Sequence, residues 1–505
     1  MGRAGRGRLR AGFAGALAGA VALGMSELTA GLTGARSLVV AVGDAVIAKS
    51  PQSMVEFGKR TFGTDDKAAL VTGILIIAGL AAVALGVAAN RRRWVAVAGL
   101  GAFGVVGIAA AAREPQGAVG LAALAAIVGV ASGLSALLLL LGGRSAAPHP
   151  TGMSRRAFLG MAAAAAATAA ISGAVGRALL QGATKAAARA GIVLPRLTVP
   201  LAPPPAGTSL AVDGVTSLVT PNNQFYLIDT TLSYPQVDVE GWRLRIDGMV
   251  EHPCELSFAD LLAMPMIEQY VTIGCVSNEV GGDLVSTAAW RGVPLRDLLG
   301  RAGVRADATQ VIGRSVDAFT VGFPTEAALD ERGAMVAVGM NGVPLPIAHG
   351  FPARLIVPGL YGYVSATKWL REIELSTFEA FDAYWIRRGW AQKPLFKTQS
   401  RIDVPKTGRA GRVPVAGVAW APTRGIAKVE VQIDDLGWSE ATLASQLSAD
   451  TWRQWVYQWN ASPGRHRLRV RATDGTGRLQ DGRDHPPLPD GATGYHTIHV
   501  EISAS

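Results

Sequence analysis

The first 180 residues hold four predominantly apolar segments, at 11–31, 70–89, 94–112 and 118–141, and no other feature narrows the fold as far. Crossing the hydrocarbon of a bilayer takes about 20 helical residues, and each segment comes close to that length. A fifth, 157–176, comes after the run Ser154-Arg155-Arg156-Ala157-Phe158-Leu159. Arginines cluster before the first segment (Arg3, Arg6, Arg8, Arg10), between the second and third (Arg91, Arg92, Arg93) and before the fifth (Arg144, Arg155, Arg156). The positive-inside rule then gives five spans, with the N-terminus inside and everything after the fifth outside. Glu27 weakens the first span, because an ionised carboxylate there is costly. Four spans, however, would leave the N-terminal arginines on the outer side. The expectation is a multi-pass anchor in the cell membrane that carries an extracytoplasmic domain.

Charge and cysteine content remove several function classes. Residues 1–180 carry 17 Lys+Arg against 6 Asp+Glu, and the remainder carries 31 against 32. The excess of positive charge therefore belongs to topology. A nearly neutral second part offers no basic face for phosphates, which excludes nucleic acid as partner. With only Cys254 and Cys275 there is no C-x-x-C pair, so zinc ribbons, c-type haem attachment and thioredoxin chemistry drop out. Haem held within the spans needs axial ligands, usually histidine, and the first histidine, His149, lies outside every span. No haem is expected in this chain, and electrons must pass to a separate transfer partner. The Ser-Arg-Arg-x-Phe-Leu run resembles a twin-arginine export signal and reads equally well as topology-setting charge; both readings place the residues after the fifth segment outside.

The chain divides by composition into an anchor (1–181), a Pro-rich linker (182–205), a mixed region (206–400) and a tail (401–505). In the mixed region Trp242, Leu244 and Ile246 alternate as in a half-buried strand. Ser257 with Asp260 three residues on reads as a helix cap, and Asn341-Gly342 as a tight turn. In the tail, His466, Leu468, Val470 and Ala472 alternate with Arg465, Arg467, Arg469 and Arg471, an arginine row that reads as a solvated strand face. Several short strands in this length predict an immunoglobulin-like β-sandwich.

The chemistry centres on Val271-Thr-Ile-Gly-Cys-Val-Ser-Asn-Glu-Val-Gly-Gly-Asp. A strand-like run delivers Cys275 into a loop with Asn278 and the Gly281-Gly282 pair. A thiolate is a soft metal ligand, and glycines let backbone approach a ligand. A lone cysteine is more often a buried, inert one. Four later segments reverse that prior: Ala289-Trp290-Arg291-Gly292-Val293-Pro294-Leu295, Met340-Asn341-Gly342-Val-Pro-Leu-Pro, His349-Gly350-Phe351-Pro352-Ala353-Arg354, and Gly362 through Lys368-Trp369. Their order and spacing resemble the sulfite oxidase family of molybdopterin enzymes along nearly all of 206–400. The tail resembles the dimerisation domain appended in that family.

The resemblance implies an α+β molybdopterin domain between transmembrane helices and the sandwich. It also implies one molybdenum and one molybdopterin per chain. Cys275 would be the metal ligand and catalytic centre. Asn222, Asn223, Phe225 and Tyr226 would line the pterin, His349 and Arg354 would contact it, and Gly362, Tyr363 and Lys368 would hold its phosphate end. Implied partners are a small-molecule substrate and a second copy of the chain. The implied reaction is two-electron oxygen-atom transfer. Two departures set sulfite itself apart: Glu279-Val280 stand where the family places an arginine, and Phe319 where it presents a tyrosine. S-oxide or N-oxide reduction is the alternative reaction, and a degenerate membrane-anchored binding protein the alternative outside catalysis.

Overall fold

The computed structural model describes residues 3–504 apart from 52–53, 55–56, 59–60, 63–65, 114–118, 143–153, 189–190, 198 and 236; at 3–6 and 181–188 it describes the backbone alone. Arg144 and His149 lie outside the described residues. The chain forms two compact units, Met1–Arg189 with Thr230–Gln236, and Ala190–Asp229 with Val237–Ser505.

The first unit is helical, with α1 (Arg3–Thr33), α2 (Leu38–Lys49), α3 (Asp66–Ala89), α4 (Trp94–Ala111), α5 (Val119–Leu140) and α6 (Arg155–Ala188). Five of these are long and apolar enough to cross a membrane, over Gly7–Thr33, Asp66–Ala89, Trp94–Ala111, Val119–Leu140 and Arg155–Leu180. They coincide with the five segments marked by composition. The 12-residue α2 is too short to span, and its pattern gave no sign of it. Helix α6 also runs on to Ala188, so the first residues of the expected linker are helical; Ala183 and Ala186–Ala188 are strong helix formers. At its start the Ser154 hydroxyl accepts the Ala157 N–H at 3.2 Å, while Arg155 and Arg156 are exposed.

Small residues set the packing around α1. A Cβ on Gly15 would stand 2.1 Å from the Ala82 carbonyl oxygen on α3. One on Gly129 of α5 would stand 2.6 Å from the Ala22 oxygen, and one on Gly176 of α6 2.5 Å from the Glu27 carbonyl carbon. Such contacts let helix backbones meet where aqueous burial does not drive them together. The costly Glu27 carboxylate accepts the Ser37 hydroxyl at 2.5 Å, and the same hydroxyl caps α2 by accepting the Val40 N–H. The segment Thr230–Gln236 is tied to this unit by polar contacts. Arg36 pairs with Asp44 at 2.6 Å and donates to Thr231 Oγ1, Asp44 accepts the Leu232 N–H at 3.0 Å, and Lys67 donates to the Thr231 carbonyl.

The second unit contains β1 (Arg243–Gly248), β2 (Cys254–Ser257), β3 (Ile267–Gly274), β4 (Val285–Pro294), β5 (Gln310–Ser315), β6 (Thr320–Pro324), β7 (Met335–Met340), β8 (Val343–Pro344), β9 (Arg354–Ile356) and β10 (Leu370–Ser376). They form one sheet in the order β2-β1-β10-β5-β6 and another in the order β3-β4-β7-β8, with β9 on β7. Trp242, Leu244 and Ile246 are buried as their alternation predicts. Ser257 and Asp260 make a reciprocal capping box on the helix Phe258–Ala263. Asn341 and Gly342, at φ 51° and 79°, turn β7 into β8.

The rest of the unit is a two-sheet sandwich. Its strands are β11 (Gln399–Val404), β12 (Thr407–Arg409), β13 (Gly411–Trp420), β14 (Ile426–Ile433), β15 (Ser439–Glu440), β16 (Thr442–Leu443), β17 (Arg453–Ala461), β18 (Gly464–Asp474) and β19 (Thr497–Ser503). The orders β11-β13-β17-β16 and β12-β19-β18-β14-β15 share one core, with Val415 and Trp455 meeting Val431, Leu468, Val470 and Val500. The arginine row lies on the outer face and pairs laterally, Arg471 with Glu430 at 3.0 Å and Arg467 with Asp435.

Gly15→Val is expected to destabilise the first unit by about 1–3 kcal/mol through overpacking. Gly79→Val, where nothing lies within 4 Å of the new Cβ, is expected to be neutral. Thermal melts of both variants in the same detergent test this, and equal melting temperatures would remove α1 from its central place.

Candidate active site

Strand β3 ends at Gly274 and hands Cys275 to a loop that returns at β4. The Cys275 N–H donates to the Leu284 carbonyl at 2.9 Å, which closes the loop base. The Asn278 side chain accepts the Leu284 N–H at 2.8 Å, and Cys275 Sγ lies 2.9 Å from Ser277 Oγ. Both glycines of the pair are closely packed. A Cβ on Gly281 (φ 79°) would strike the His496 ring at 2.1 Å, and one on Gly282 would strike Asn278 Oδ1 at 2.6 Å. Arg401 of β11 holds the same loop by donating to the Gly282 carbonyl at 2.8 Å.

A second cluster grows from the other strands of this sheet. Arg354 on β9 is 4% exposed and lies 4.8 Å above the Trp290 ring of β4. Its Nη1 donates to the His349 carbonyl at 3.1 Å, and its buried Nε has no partner. No carboxylate pairs with it among the described residues, and burial lowers its pKa to about 10. His349 Nε2 donates to the Asn222 carbonyl at 2.8 Å. A carbonyl can only accept, so the tautomer is fixed and Nδ1 keeps its lone pair. Burial is the main reason that the His349 pKa falls to about 4, opposed by the bond to Asn222. Phe225 packs edge-on to both Trp290 and His349 at 5.5 Å and stacks on Tyr226 at 5.4 Å.

Gly362 joins the two clusters. A Cβ there would lie 3.4 Å from Tyr226 Oη and 3.6 Å from the Gly274 oxygen, next to Cys275. Burial first, and the Cys275 charge second, hold the Tyr226 phenol above its ordinary range. Tyr361 and Tyr363 are raised mainly by burial and also feel Cys275. Three protonated phenols thus lie within electrostatic reach of the thiol.

The structure brings Cys275, Tyr226, Gly362, Phe225, Asn222, His349 and Arg354 together, while the other expected residues sit differently. Asn223 is exposed. The Asn222 amide is occupied by Asn341 at 2.8 Å and by the Met340 carbonyl at 3.4 Å, leaving its backbone to serve His349. Tyr363 is buried and its hydroxyl donates to the Ala391 carbonyl at 2.5 Å. Lys368 pairs with the buried Asp229 at 3.1 Å and donates to the Ala348 carbonyl. Phe319 packs on Tyr384 at 5.5 Å. Sequence reasoning did not mark Tyr361, Asp229 or His496. Nothing local distinguishes them; only the fold brings them near.

Residues 231–385 match the model of the oxidoreductase molybdopterin binding domain. The uncharacterized oxidoreductase YuiH of Bacillus subtilis is 38% identical over 153 residues, which cover 30% of this chain and 74% of that protein. The mitochondrial sulfite oxidase of Macaca fascicularis is 31% identical over 302 residues, 50% of this chain and 55% of that enzyme. The crystal structure of the sulfane dehydrogenase SoxCD from Paracoccus pantotrophus superposes with TM-score 0.51 at 24% identity, covering 57% of this chain and 82% of that one, a likeness of fold. The chain belongs to the sulfite oxidase family of molybdopterin-dependent oxidoreductases. By family it is an oxidoreductase. It spans 55% of the macaque and 62% of the rat sulfite oxidase.

The His349 shift implies a pH dependence whose sign is given by linkage. Its folded pKa of about 4 lies below the unfolded value of 6.5, so the unfolded chain binds more protons in between. The stabilisation, up to about 3 kcal/mol, is complete above pH 6.5 and is lost as pH falls towards 4. Melts at pH 7 and pH 5 are expected to show a smaller loss in His349→Gln than in the parent. Equal losses would assign the dependence elsewhere.

Proposed function

We propose that the second unit binds a molybdenum–pterin cofactor through Cys275 and catalyses two-electron oxygen-atom transfer on a small substrate. One observation carries this reading: Arg354 is a buried cation with an unmet Nε and no carboxylate partner among the described residues, in the cluster that Gly362 joins to Cys275. Burying an unpaired charge costs several kcal/mol, and an anionic, pterin-bearing group removes that cost. Gly350 fits the same purpose. At φ 110° it lets the chain pass where a Cβ would stand 3.0 Å from Lys368 Cα and 3.1 Å from Arg354 Cβ.

The residues divide the work. Cys275 supplies a thiolate for the metal. Arg354 balances the cofactor's negative charge, and the fixed tautomer of His349 offers Nδ1 as acceptor to a pterin N–H. Tyr226 and Tyr361, held protonated by burial, are hydrogen-bond donors towards the Cys275 side. Tyr363 fixes the following backbone through Ala391. When bound, the cofactor supplies the two-electron exchange and the oxygen-atom transfer. The spans contain no histidine, in keeping with a haem-free chain whose electrons pass to a separate partner. The arginine clusters favour five membrane spans with this unit extracytoplasmic. The sandwich is assigned to the immunoglobulin-like class on its strand pattern and to homodimer formation on the family resemblance.

We infer that the site favours an uncharged S-oxide or N-oxide over sulfite. Sulfite is mostly dianionic near neutral pH and calls for fixed cations. Arg291 is bound to Glu268 at 3.1 Å, and Arg314 is engaged with Glu372 and Glu374. The loop after Cys275 also carries Glu279, an exposed carboxylate that repels a dianion approaching along it.

With molybdenum-loaded full-length protein, Cys275→Ser is expected to abolish turnover while the melting temperature stays within a few degrees. Sulfite oxidation by the parent is expected below about 10⁴ M⁻¹s⁻¹ in kcat/KM, the low end of ordinary enzymes. Full activity of the serine variant would refute the thiolate role. A sulfite value above that bound would refute the substrate preference.

A further inference from the structure

In the first unit, α2 and α4 line a groove of about 520 Å³. Ligand pockets usually measure about 300–1,000 Å³. On α2 the lining positions are Val42, Ala45, Val46 and Lys49; on α4 and the turn after it they are Val106, Ala109, Ala110 and Arg113. Both quartets have the spacing i, i+3, i+4, i+7, which is one helical stripe. Each stripe is apolar at three positions and cationic at the fourth. Val46 and Val106 are 39% and 55% exposed, so the walls are open to an occupant. No acidic side chain lines the groove among the described residues. A helix C-terminus supplies only about half a negative charge, and only to its last turn. Among the described lining residues the charged side chains are Lys49 and Arg113, both cationic, and Ser50, Pro51 and Met54 complete the lining beside Lys49.

We propose that this groove binds an anionic phospholipid, with an acyl chain along the valine and alanine walls and the phosphate held by Lys49 and Arg113. The inference rests on reading the five long helices as membrane spans. Arginine and lysine both bind phosphate through charge-assisted hydrogen bonds, and the valine and alanine walls exclude water from a chain. A neutral quinone would fill the walls and leave both cations without a counter-charge. A zwitterionic lipid brings its own cation beside them.

The test uses full-length, molybdenum-loaded protein in mild detergent, titrated with phosphatidylglycerol and phosphatidylcholine and read by native mass spectrometry. Phosphatidylglycerol is expected to be retained about tenfold more strongly than phosphatidylcholine. Lys49→Gln with Arg113→Gln is expected to erase the difference, and Lys49→Arg alone to keep it. Val46→Trp fills the groove with both charges intact and is expected to block retention, so the proposal stays testable where the double variant misfolds. Equal retention of the two lipids by the parent would overturn it, as would selectivity that survives in the double or the Val46→Trp variant, or displacement by a neutral quinone. Alkaline carbonate extraction separates the underlying reading. Release of the chain into the supernatant rejects the membrane spans and the lipid site together, whereas a retained chain without lipid selectivity rejects the site alone.

Discussion

A guanidinium sealed from water with no carboxylate partner among the described residues is the constraint on which the second unit turns. Moving such a charge out of water costs several kcal/mol even after relaxation. Here one hydrogen bond to the His349 carbonyl and the face of Trp290 offset part of that cost, and Nε remains unmet. The neighbourhood is arranged to keep Arg354 there. Strand β9 pairs with β7, β4 delivers Trp290 beneath it, and Gly350 at φ 110° gives the chain the bend that a side chain would obstruct. Phe225, wedged between Trp290 and His349, excludes the water that would otherwise solvate the charge. The proposed cofactor supplies the missing negative group, so binding it and completing the core are the same event in energy.

The Cys275 loop depends on residues far along the chain. Its glycine turn rests on His496, and its Gly282 carbonyl is held by Arg401. The Ile402 N–H donates to His496 Nδ1 at 3.0 Å, which places the ring proton on Nε2 and suits a neutral imidazole. Burial, with Arg401 second, lowers the His496 pKa in the same sense. Trp452 adds a third tie, donating from its indole to the Leu218 carbonyl at 2.7 Å and from its backbone to Thr272 Oγ1 at 2.8 Å. The sandwich is therefore part of the scaffold of the candidate site, whatever it does between copies of the chain.

Much of this was legible because it is local. The five apolar helices, the capping box at Ser257, the Asn341-Gly342 turn and the alternation at Leu244 and Ile246 are each determined within a few residues. Cys275 could be singled out because strand, cysteine and glycines are contiguous. What escaped is what the fold brings together across long separations. The space beside Gly281 is filled by His496, more than 200 positions later. Lys368 is paired with Asp229, 139 positions earlier, at 3.1 Å, a partner that nothing local in the sequence reveals. Phe319 stands where the family presents a tyrosine, and Tyr226 and Tyr361 carry phenols to the Cys275 side from other elements. Helix α2 was missed because its mixed pattern is too short for a span and is stabilised by a cap from Ser37.

The two units also show why composition shifts near residue 180. In the first, the core is Ala14, Ala18, Ala89, Ala96 and Ala162 with Leu137 and Leu140, and glycines set the closest approaches. For helices proposed to sit in lipid, whose tails are as apolar as leucine, bulky side chains gain little by meeting one another, so backbone proximity has to supply the attraction. In the second unit the largest buried side chains are Trp290, Trp369, Trp420, Trp452 and Trp455. Water makes large apolar surface costly to expose, and aromatic mass is the most effective means of removing it. Those indoles also carry one donor each, and Trp290, Trp369 and Trp452 spend theirs on backbone carbonyls that fasten distant segments. Ten of the eleven tryptophans lie after residue 180, in the unit where burying large apolar surface away from water contributes most to the fold.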